Sequence, residues 1–124
     1  MAKRILLVDD EPNILLSLQF LMKRAGYEVD TASDGEMALQ RVAAVPPDLV
    51  LLDINMPRLN GYDVCEQIRN NPAWHSTRII LLTAKGREVE KEKGLALGAD
   101  DYITKPFSNQ ELIDKVAALM ATLE

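Results

Sequence analysis

An acidic residue, Asp53, stands where a buried stretch of the chain gives way to a loop. The four residues before it are Leu-Val-Leu-Leu, an apolar run that is typical of a buried strand. Asn55 follows two residues later, and Pro57 then forces a loop, because proline lacks an N–H and restricts the residue before it. The pattern predicts a carboxylate at the carboxyl end of a strand, where open α/β sheets place their ligands.

Polar residues also end three other predicted strands. They are Asp9, Asp10 and Glu11 after the first strand, Thr83 at the end of the fourth, where Ala84 follows it, and Lys105 after the fifth. Each has an ordinary explanation when taken singly, such as a helix cap or a solvated loop residue. Because the carboxyl ends of parallel strands lie along one edge of a sheet, we expect these side chains to meet near Asp53.

Three carboxylates held together repel one another. At 4 Å, with an effective dielectric constant near 20, each pair costs about 4 kcal/mol. Lys105 cannot offset three acids, so either the pKa of one acid rises or a cation binds. Oxygen ligands without His or Cys suit Mg²⁺. Mg²⁺, Lys105 and the Thr83 hydroxyl would then surround a phosphoryl group, with Asp53 as its nucleophilic acceptor.

The elements that must position these residues alternate regularly between strand and helix. The predicted strands cover residues 5–8, 27–32, 49–53, 78–83 and 101–104. The predicted helices cover residues 12–25, 35–45, 61–71 and 86–97, with a last helix capped by Ser108. Continuous apolar strands in this alternation predict an α/β fold, a doubly wound (βα)5 parallel sheet with helices on both faces, in a single domain over residues 1–124.

The amino-acid composition limits the classes of protein to which the chain can belong. The chain has 124 residues, a net charge of −5, 48% hydrophobic and 27% charged residues, which is typical of a globular protein. It has no basic block, so we expect no direct nucleic-acid binding. The single cysteine, Cys65, excludes a disulfide framework within the chain. The first apolar run is too short for a signal peptide or a membrane span, so we expect a cytoplasmic location and no membrane partner.

The combined motifs resemble the signature of response regulator receiver domains of bacterial two-component systems. The resemblance rests on Asp9-Asp10-Glu11, Asp53-Ile-Asn-Met-Pro57, Asn60-Gly61, Thr83-Ala84 and Lys105-Pro106-Phe107. It covers essentially the whole chain and implies a flavodoxin-like strand order of 2-1-3-4-5. It also implies structural roles for Pro57, Gly61 and Pro106, with a cis Lys105–Pro106 bond.

By the same resemblance, Asp53 accepts a phosphoryl group from a phosphohistidine of a cognate histidine kinase or phosphotransfer protein. The implied Mg²⁺ ligands are Asp10 and Asp53 directly, Asp9 through water, and the backbone carbonyl of Asn55; Mn²⁺ or Ca²⁺ can substitute. The implied phosphoryl-binding groups are Lys105, the Thr83 hydroxyl and the Ala84 N–H. The chain would then phosphorylate and dephosphorylate itself at Asp53 without being a conventional enzyme.

The resemblance also implies how the phosphate becomes a signal. Thr83 moves toward the phosphoryl group, and Tyr102 matches the aromatic residue that turns inward behind it. Asn55 and Lys85 occupy positions that tune the lifetime of the phosphate. The fourth helix carries few apolar residues and an interior glycine, Gly94, which predicts a marginal helix that is easily shifted.

The predicted output surface comprises helix 4, strand 5 and helix 5. The charged residues that could form a homodimer or effector face there are Lys91, Lys93, Asp100, Asp101 and Lys115. Isolated surface ion pairs are weak, so an ordinary solvated surface is the alternative interpretation.

Three other functions compete with this interpretation. A hydrolase that uses an aspartyl phosphate, of the haloacid-dehalogenase type, wants a second acid two residues after the nucleophile, and here that residue is Asn55. A dinucleotide-binding fold needs a glycine-rich turn after the first strand, where this chain has acids. A phosphorylation-independent, receiver-like interaction module is the third alternative, and the presence of all the site residues argues against it.

Overall fold

The computed structural model describes residues 3–84 and 88–123 of the chain. Its strands are β1 (Arg4–Val8), β2 (Glu28–Ala32), β3 (Leu49–Asp53), β4 (Arg78–Ala84) and β5 (Asp101–Lys105). Its helices are α1 (Pro12–Arg24), α2 (Gly35–Ala44), α3 (Gly61–Asn70), α4 (Glu88–Ala96) and α5 (Asn109–Ala121). Within these ranges, strand and helix alternate as the sequence predicts.

The five strands form one parallel sheet in the order β2-β1-β3-β4-β5. The predicted fold class and strand order are therefore confirmed. The strand that ends in Asp53 lies at the centre, and all five of its residues are buried. β2, whose alternating pattern predicts a half-exposed strand, lies at an edge and buries only Ala32 fully.

Apolar side chains pack on both faces of the sheet. One cluster is centred on Leu6, Val50 and Leu81 and lies under α2, α3 and α4. The other is centred on Leu7 and Leu51 and lies under α1 and α5. Successive residues of a strand point to opposite faces of the sheet. The position of a residue in its strand therefore decides which of the two clusters it faces.

Local sequence accounts for most helix starts. Asp34 caps α2 by accepting a hydrogen bond from the Met37 N–H, and Ser108 caps α5 by accepting one from the Glu111 N–H. α3 begins with a capping box between Asn60 and Asp63. Such caps satisfy N–H groups that the first helical turn leaves without partners.

Two details of the helices differ from the sequence pattern. The spacing of Ile14, Leu18, Leu21 and Ala25 predicts that these residues share the inner face of the first helix. The helix ends at Arg24, however, and Met22 is fully buried instead of Ala25. Met22 lies four residues after Leu18, so the inner stripe keeps helical spacing. A short 3₁₀ turn, Pro72–Trp74, follows α3 and is capped by Asn71; the sequence pattern gave no sign of it.

α4 is as weakly anchored as its composition predicts. Its only buried residue is Gly94, and a β-carbon there would press into Leu81 of β4. The glycine therefore lets the helix approach the sheet. The predicted start of this helix at residue 86 lies outside the described residues. Of the helices described, none is both long and apolar enough to cross a membrane.

Candidate functional site

The sheet brings three of the predicted acids together. Asp9, Asp10 and Asp53 each offer an oxygen, and these oxygens all lie within 4.8 Å of one another. Asp9 is 0% exposed and Asp53 is 3% exposed, whereas Asp10 faces solvent. β1 and β3 are neighbours in the sheet, which is why acids far apart in sequence converge.

Lys105 completes the charged cluster. Its ammonium nitrogen lies 3.2 Å from Asp9 Oδ2 and 3.3 Å from Asp53 Oδ1. The Asp53 carboxylate also accepts a hydrogen bond from the Asn55 N–H, at 3.2 Å. The Asp9 carboxylate accepts one from the Glu11 N–H, at 2.9 Å. The two buried carboxylates are thereby fixed in place, with one cation between them.

Burial and charge shift the acid–base properties of this cluster. Desolvation by burial and the neighbouring charge of Asp9 raise the pKa of Asp53 to about 6, against the opposing effect of Lys105. For Lys105, burial alone would lower the pKa, but the charges of Asp53 and Asp9 outweigh it and the net pKa is raised. Lys105 is therefore charged at neutral pH, and Asp53 is ionised at a cost.

The donor set of the cluster fits a hard divalent cation. Three carboxylates are grouped, Lys105 pairs with two of them, and all the cluster's ligand atoms are oxygens. Such a set suits Mg²⁺, which binds through a few carboxylates and keeps several waters. The exposed Asp10 leaves one side of the cluster open to solvent, so a hydrated ion could reach it.

Thr83 contributes a buried hydroxyl group to the site. Its side chain is 0% exposed, and its hydroxyl has no hydrogen-bond partner among the residues that the structure describes. A buried hydroxyl without a partner is costly, so a ligand oxygen at this point would be favoured. Ala84, the last residue of β4, lies beside it.

Tyr102 lies on the same face of the sheet as Thr83. It is paired with Leu81 in the β4–β5 register, and side chains two residues apart share a face. Tyr102 is half-buried, with the ammonium groups of Lys91 and Lys115 at 4.9 and 5.6 Å from its ring centroid. The predicted coupling of Thr83 to Tyr102 stays a prediction.

The loop after β3 is held close to the site by Gly61. Its N–H donates to the Ile54 carbonyl at 3.1 Å, and a β-carbon there would lie 2.8 Å from Ile54 Cα. Arg58 adopts a positive φ of 62° in the same loop, a conformation that non-glycine residues seldom adopt. Asn55 is exposed at the start of this loop, and Pro57 follows it.

Sequence reasoning missed a cleft beside Asp53. It has a volume of ≈ 560 Å³. Its lining residues are Asn13, Ile14, Ser17, Leu18, Asp53, Asn55, Thr83, Ala84, Lys105, Pro106, Phe107 and Asn109. The Lys105–Pro106 peptide bond on its edge is cis, as the resemblance implied. Ile14 and Leu18 stood out in the sequence only as core positions of a helix.

The charges of the predicted output face mostly have partners within the chain. Lys115 pairs with Asp101 at 3.2 Å, and Lys91 pairs with Glu88 at 3.1 Å. Lys93 lies over the Tyr62 ring at 4.5 Å. A homodimer through this face stays a prediction. The predicted lifetime residue Lys85 lies outside the described residues.

A second feature missed by sequence reasoning is a clamp formed by Arg69 of α3. Its guanidinium donates to the Gly98 and Thr77 carbonyls and to Asp100 Oδ2, each at 2.7 Å. Asp100, predicted on the output face, also accepts a hydrogen bond from the Ile79 N–H at 2.7 Å. The clamp fixes the end of α4 to the sheet. It can be recognised only from the folded structure.

Comparison with known proteins agrees with this geometry. The family model for the response regulator receiver domain matches residues 5–117. The chain is 48% identical over 124 residues to the alkaline phosphatase synthesis transcriptional regulatory protein PhoP of Bacillus subtilis (strain 168); the match covers 100% of this chain and 51% of that protein. The chain therefore spans about half the length of this curated relative.

Solved structures show the same likeness. A response regulator from Chloroflexus aurantiacus J-10-fl superposes with a TM-score of 0.94 and 36% identity, covering 98% of this chain and 99% of that one. The chemotaxis protein CheY4 of Vibrio cholerae superposes with a TM-score of 0.90 and 30% identity, covering 96% and 99%. The acid cluster, the lysine and the strand order described above agree with these matches. The chain therefore belongs to the response regulator receiver domain family, the phosphorylation-switched modules of two-component systems.

Proposed function

We propose that Asp53 accepts a phosphoryl group from a phosphohistidine of a sensor histidine kinase or phosphotransfer protein. The observation that carries this proposal is the buried Asp53 carboxylate held 3.3 Å from Lys105 and grouped with Asp9 and Asp10. An Asp53 oxygen attacks phosphorus, the nitrogen–phosphorus bond breaks, and its electron pair stays with the imidazole. The product is an aspartyl phosphate.

Mg²⁺ is the proposed cofactor. Asp10 and Asp53 would hold it directly, Asp9 through water, and the Asn55 backbone carbonyl would complete the protein's share. When bound, the ion supplies positive charge to the acids and to the phosphoryl oxygens.

The chain's own residues account for the rest of the chemistry. Lys105 lies beside the acceptor oxygen and carries the charge that a transferred phosphoryl group needs. The Thr83 hydroxyl is buried at the same strand edge and can donate to a phosphoryl oxygen. The Ala84 N–H is placed next in the chain to do the same. These groups would bind and orient the phosphoryl group.

Phosphorylation would then change the surface formed by α4, β5 and α5. The phosphate adds nearly two negative charges, and Thr83 would move toward them. Tyr102 shares a face of the sheet with Thr83, and α4 is weakly anchored above it. We infer a shift between two arrangements of this surface, read by a downstream effector protein or domain.

The proposal is tested with acetyl phosphate and Mg²⁺, with intact mass as the readout. The chain should gain one phosphoryl group, and the gain should be absent without Mg²⁺ and in Asp53→Asn. Unchanged addition to Asp53→Asn would refute the assignment of the acceptor. A chain that gains no phosphate but still binds a partner would favour the phosphorylation-independent interaction module.

A further inference from the structure

The acceptor site opens on one side into the cleft described above. Asp53, Thr83 and Lys105 line the cleft, while neither Asp9 nor Asp10 is among its described lining residues. Asp9 and Asp10 therefore lie outside the cleft, although two other proposed metal ligands, Asp53 and Asn55, line it. A donor whose phosphoryl group sits at Asp53 has this space available for the rest of the molecule.

The lining of the cleft is apolar away from the acceptor. α1 contributes Ile14 and Leu18, and the segment after β5 contributes Pro106 and Phe107. The remaining lining residues from these two elements are polar but uncharged: Asn13, Ser17 and Asn109. The described charged groups of the cleft, Asp53 and Lys105, are paired with each other. Such a lining favours an uncharged, apolar occupant.

We propose that this cleft receives the leaving group of small phosphodonors, and that it selects acyl phosphates with a bulky apolar acyl group. The proposal rests on the assignment of Asp53 as the acceptor. With benzoyl phosphate, an Asp53 oxygen bonds to phosphorus as the bond from phosphorus to the acyl oxygen breaks. The electron pair of that bond leaves on benzoate, so the step needs no proton.

The expected preference for the aromatic donor follows from the apolar surface of that donor that the cleft removes from water. The cleft volume of ≈ 560 Å³ exceeds what a single aromatic ring needs. Burial of part of a phenyl ring in place of a methyl group against Ile14, Leu18 and Phe107 should favour benzoyl phosphate about tenfold over acetyl phosphate. Benzoate is a somewhat weaker base than acetate and leaves more readily, so every ratio below is divided by the ratio of the two donors' rates of spontaneous hydrolysis, and the quotient reports binding in the cleft.

The test compares the rates at which Asp53 is phosphorylated by the two donors, each below saturation, with Mg²⁺ present and intact mass as the readout. The wild-type chain should show a ratio of about ten. Ile14→Ala and Phe107→Ala, on the two walls, should each lower it to about three or less. Leu15→Ala is the matched control, because Leu15 is also partly buried on α1 but does not line the cleft; it should keep the ratio.

The outcomes separate this proposal from the one on which it rests. A wild-type ratio near one, with acetyl phosphate still modifying Asp53, overturns the cleft proposal and leaves the acceptor role intact. A high ratio that both wall variants retain also overturns it. Failure of both donors to phosphorylate the chain overturns the acceptor role and this proposal together. The wild-type ratio needs no variant, so the test does not depend on how well the variants fold.

Discussion

The ammonium nitrogen of Lys105 lies 3.3 Å from Asp53 Oδ1, although the two residues come from strands that are not neighbours. β4 lies between β3 and β5 in the sheet, so the lysine side chain extends past it to Asp53. The same ammonium group lies 3.2 Å from Asp9. One cation thus links the two buried carboxylates, and it is the first group to test by substitution.

Replacement of this cation should slow phosphoryl transfer. Lys105→Met removes the positive charge beside Asp53 Oδ1, and we expect the rate of phosphorylation from acetyl phosphate to fall about 10²-fold to 10³-fold, the usual cost of losing one such group. Lys115→Met is the matched control. Its ammonium pairs with Asp101 at 3.2 Å, away from the site, so the rate should change little. Equal losses of rate in both variants would show that Lys105 contributes only through the net charge of the protein.

The raised pKa of Asp53 predicts how the stability of the metal-free chain depends on pH. The pKa of Asp53 is about 6 in the folded state, against 3.8 for a free aspartate side chain. Between these two values the folded state binds more protons than the unfolded state, so stability falls as pH rises. Above about pH 6 this loss is complete and amounts to about 2–3 kcal/mol.

Asp53→Asn should remove that pH-dependent loss. In urea denaturation with a chelator present, the variant and the wild type should have similar stability near pH 4. The variant should become the more stable protein as pH rises to about 6, and the gap should then stay constant. A gap that is the same at every pH would contradict the raised pKa.

Mg²⁺ should stabilise the folded chain through the acid cluster. A ligand that binds only the folded state adds about 1.4 kcal/mol for each tenfold excess over its dissociation constant. Thermal unfolding should therefore shift upward with Mg²⁺ concentration. Asp10→Asn should shift this dependence to higher Mg²⁺, because Asp10 is one of the three clustered acids. Asp114→Asn, on α5 and bonded to Gln110 at 2.8 Å, should leave it unchanged.

Two helix glycines should respond differently to alanine. A β-carbon on Gly61 would lie 2.8 Å from Ile54 Cα and also against the Asp53 carbonyl. This backbone cannot move without disturbing Asp53, so Gly61→Ala should lower the free energy of unfolding by about 2–3 kcal/mol.

Gly94→Ala meets the end of the Leu81 side chain instead. A side chain can adjust where a backbone cannot, and the gain in helix propensity of about 1 kcal/mol offsets part of the cost. Denaturant unfolding of both variants checks the comparison. A larger loss for Gly94→Ala than for Gly61→Ala would contradict the geometry.

The Arg69 clamp should matter more to stability than an ordinary surface ion pair. Arg69→Met leaves the Gly98 and Thr77 carbonyls without their donor and separates α3 from Asp100. We expect a loss of about 2–4 kcal/mol in the free energy of unfolding. Arg41→Met is the control, since Arg41 lies 3.9 Å from Asp30 on an exposed surface and such pairs contribute at most about 1 kcal/mol. Comparable losses of stability in the two variants would show that Arg69 contributes no more than a surface ion pair.

The sequence predicts the fold well because local patterns and topology agree. Continuous apolar runs marked the buried strands, and the alternation with helices required a parallel sheet. The strand order came from the family resemblance and is confirmed. The convergence of Asp9, Asp53 and Lys105 follows from strand ends meeting along one edge, which is why the charged cluster could be predicted before its distances were known.

Features that depend on long-range shape could not be predicted. Arg69 gave no signal, because its partners lie at distant points of the chain that only the folded sheet brings together. The cleft wall at Ile14 looked like an ordinary core position, since helical spacing does not show which core residues border an opening. The 3₁₀ turn at Pro72–Trp74 is too short to leave a periodic pattern.

The most direct test of the central claim is the chemical identification of the modified residue. After incubation with acetyl phosphate and Mg²⁺, borohydride reduction converts an aspartyl phosphate to homoserine, which tandem mass spectrometry locates in the chain. We predict homoserine at position 53 alone, in amounts that follow the phosphate added. Homoserine at another acid, or phosphate gained with none at position 53, would contradict the assignment of Asp53 as the acceptor.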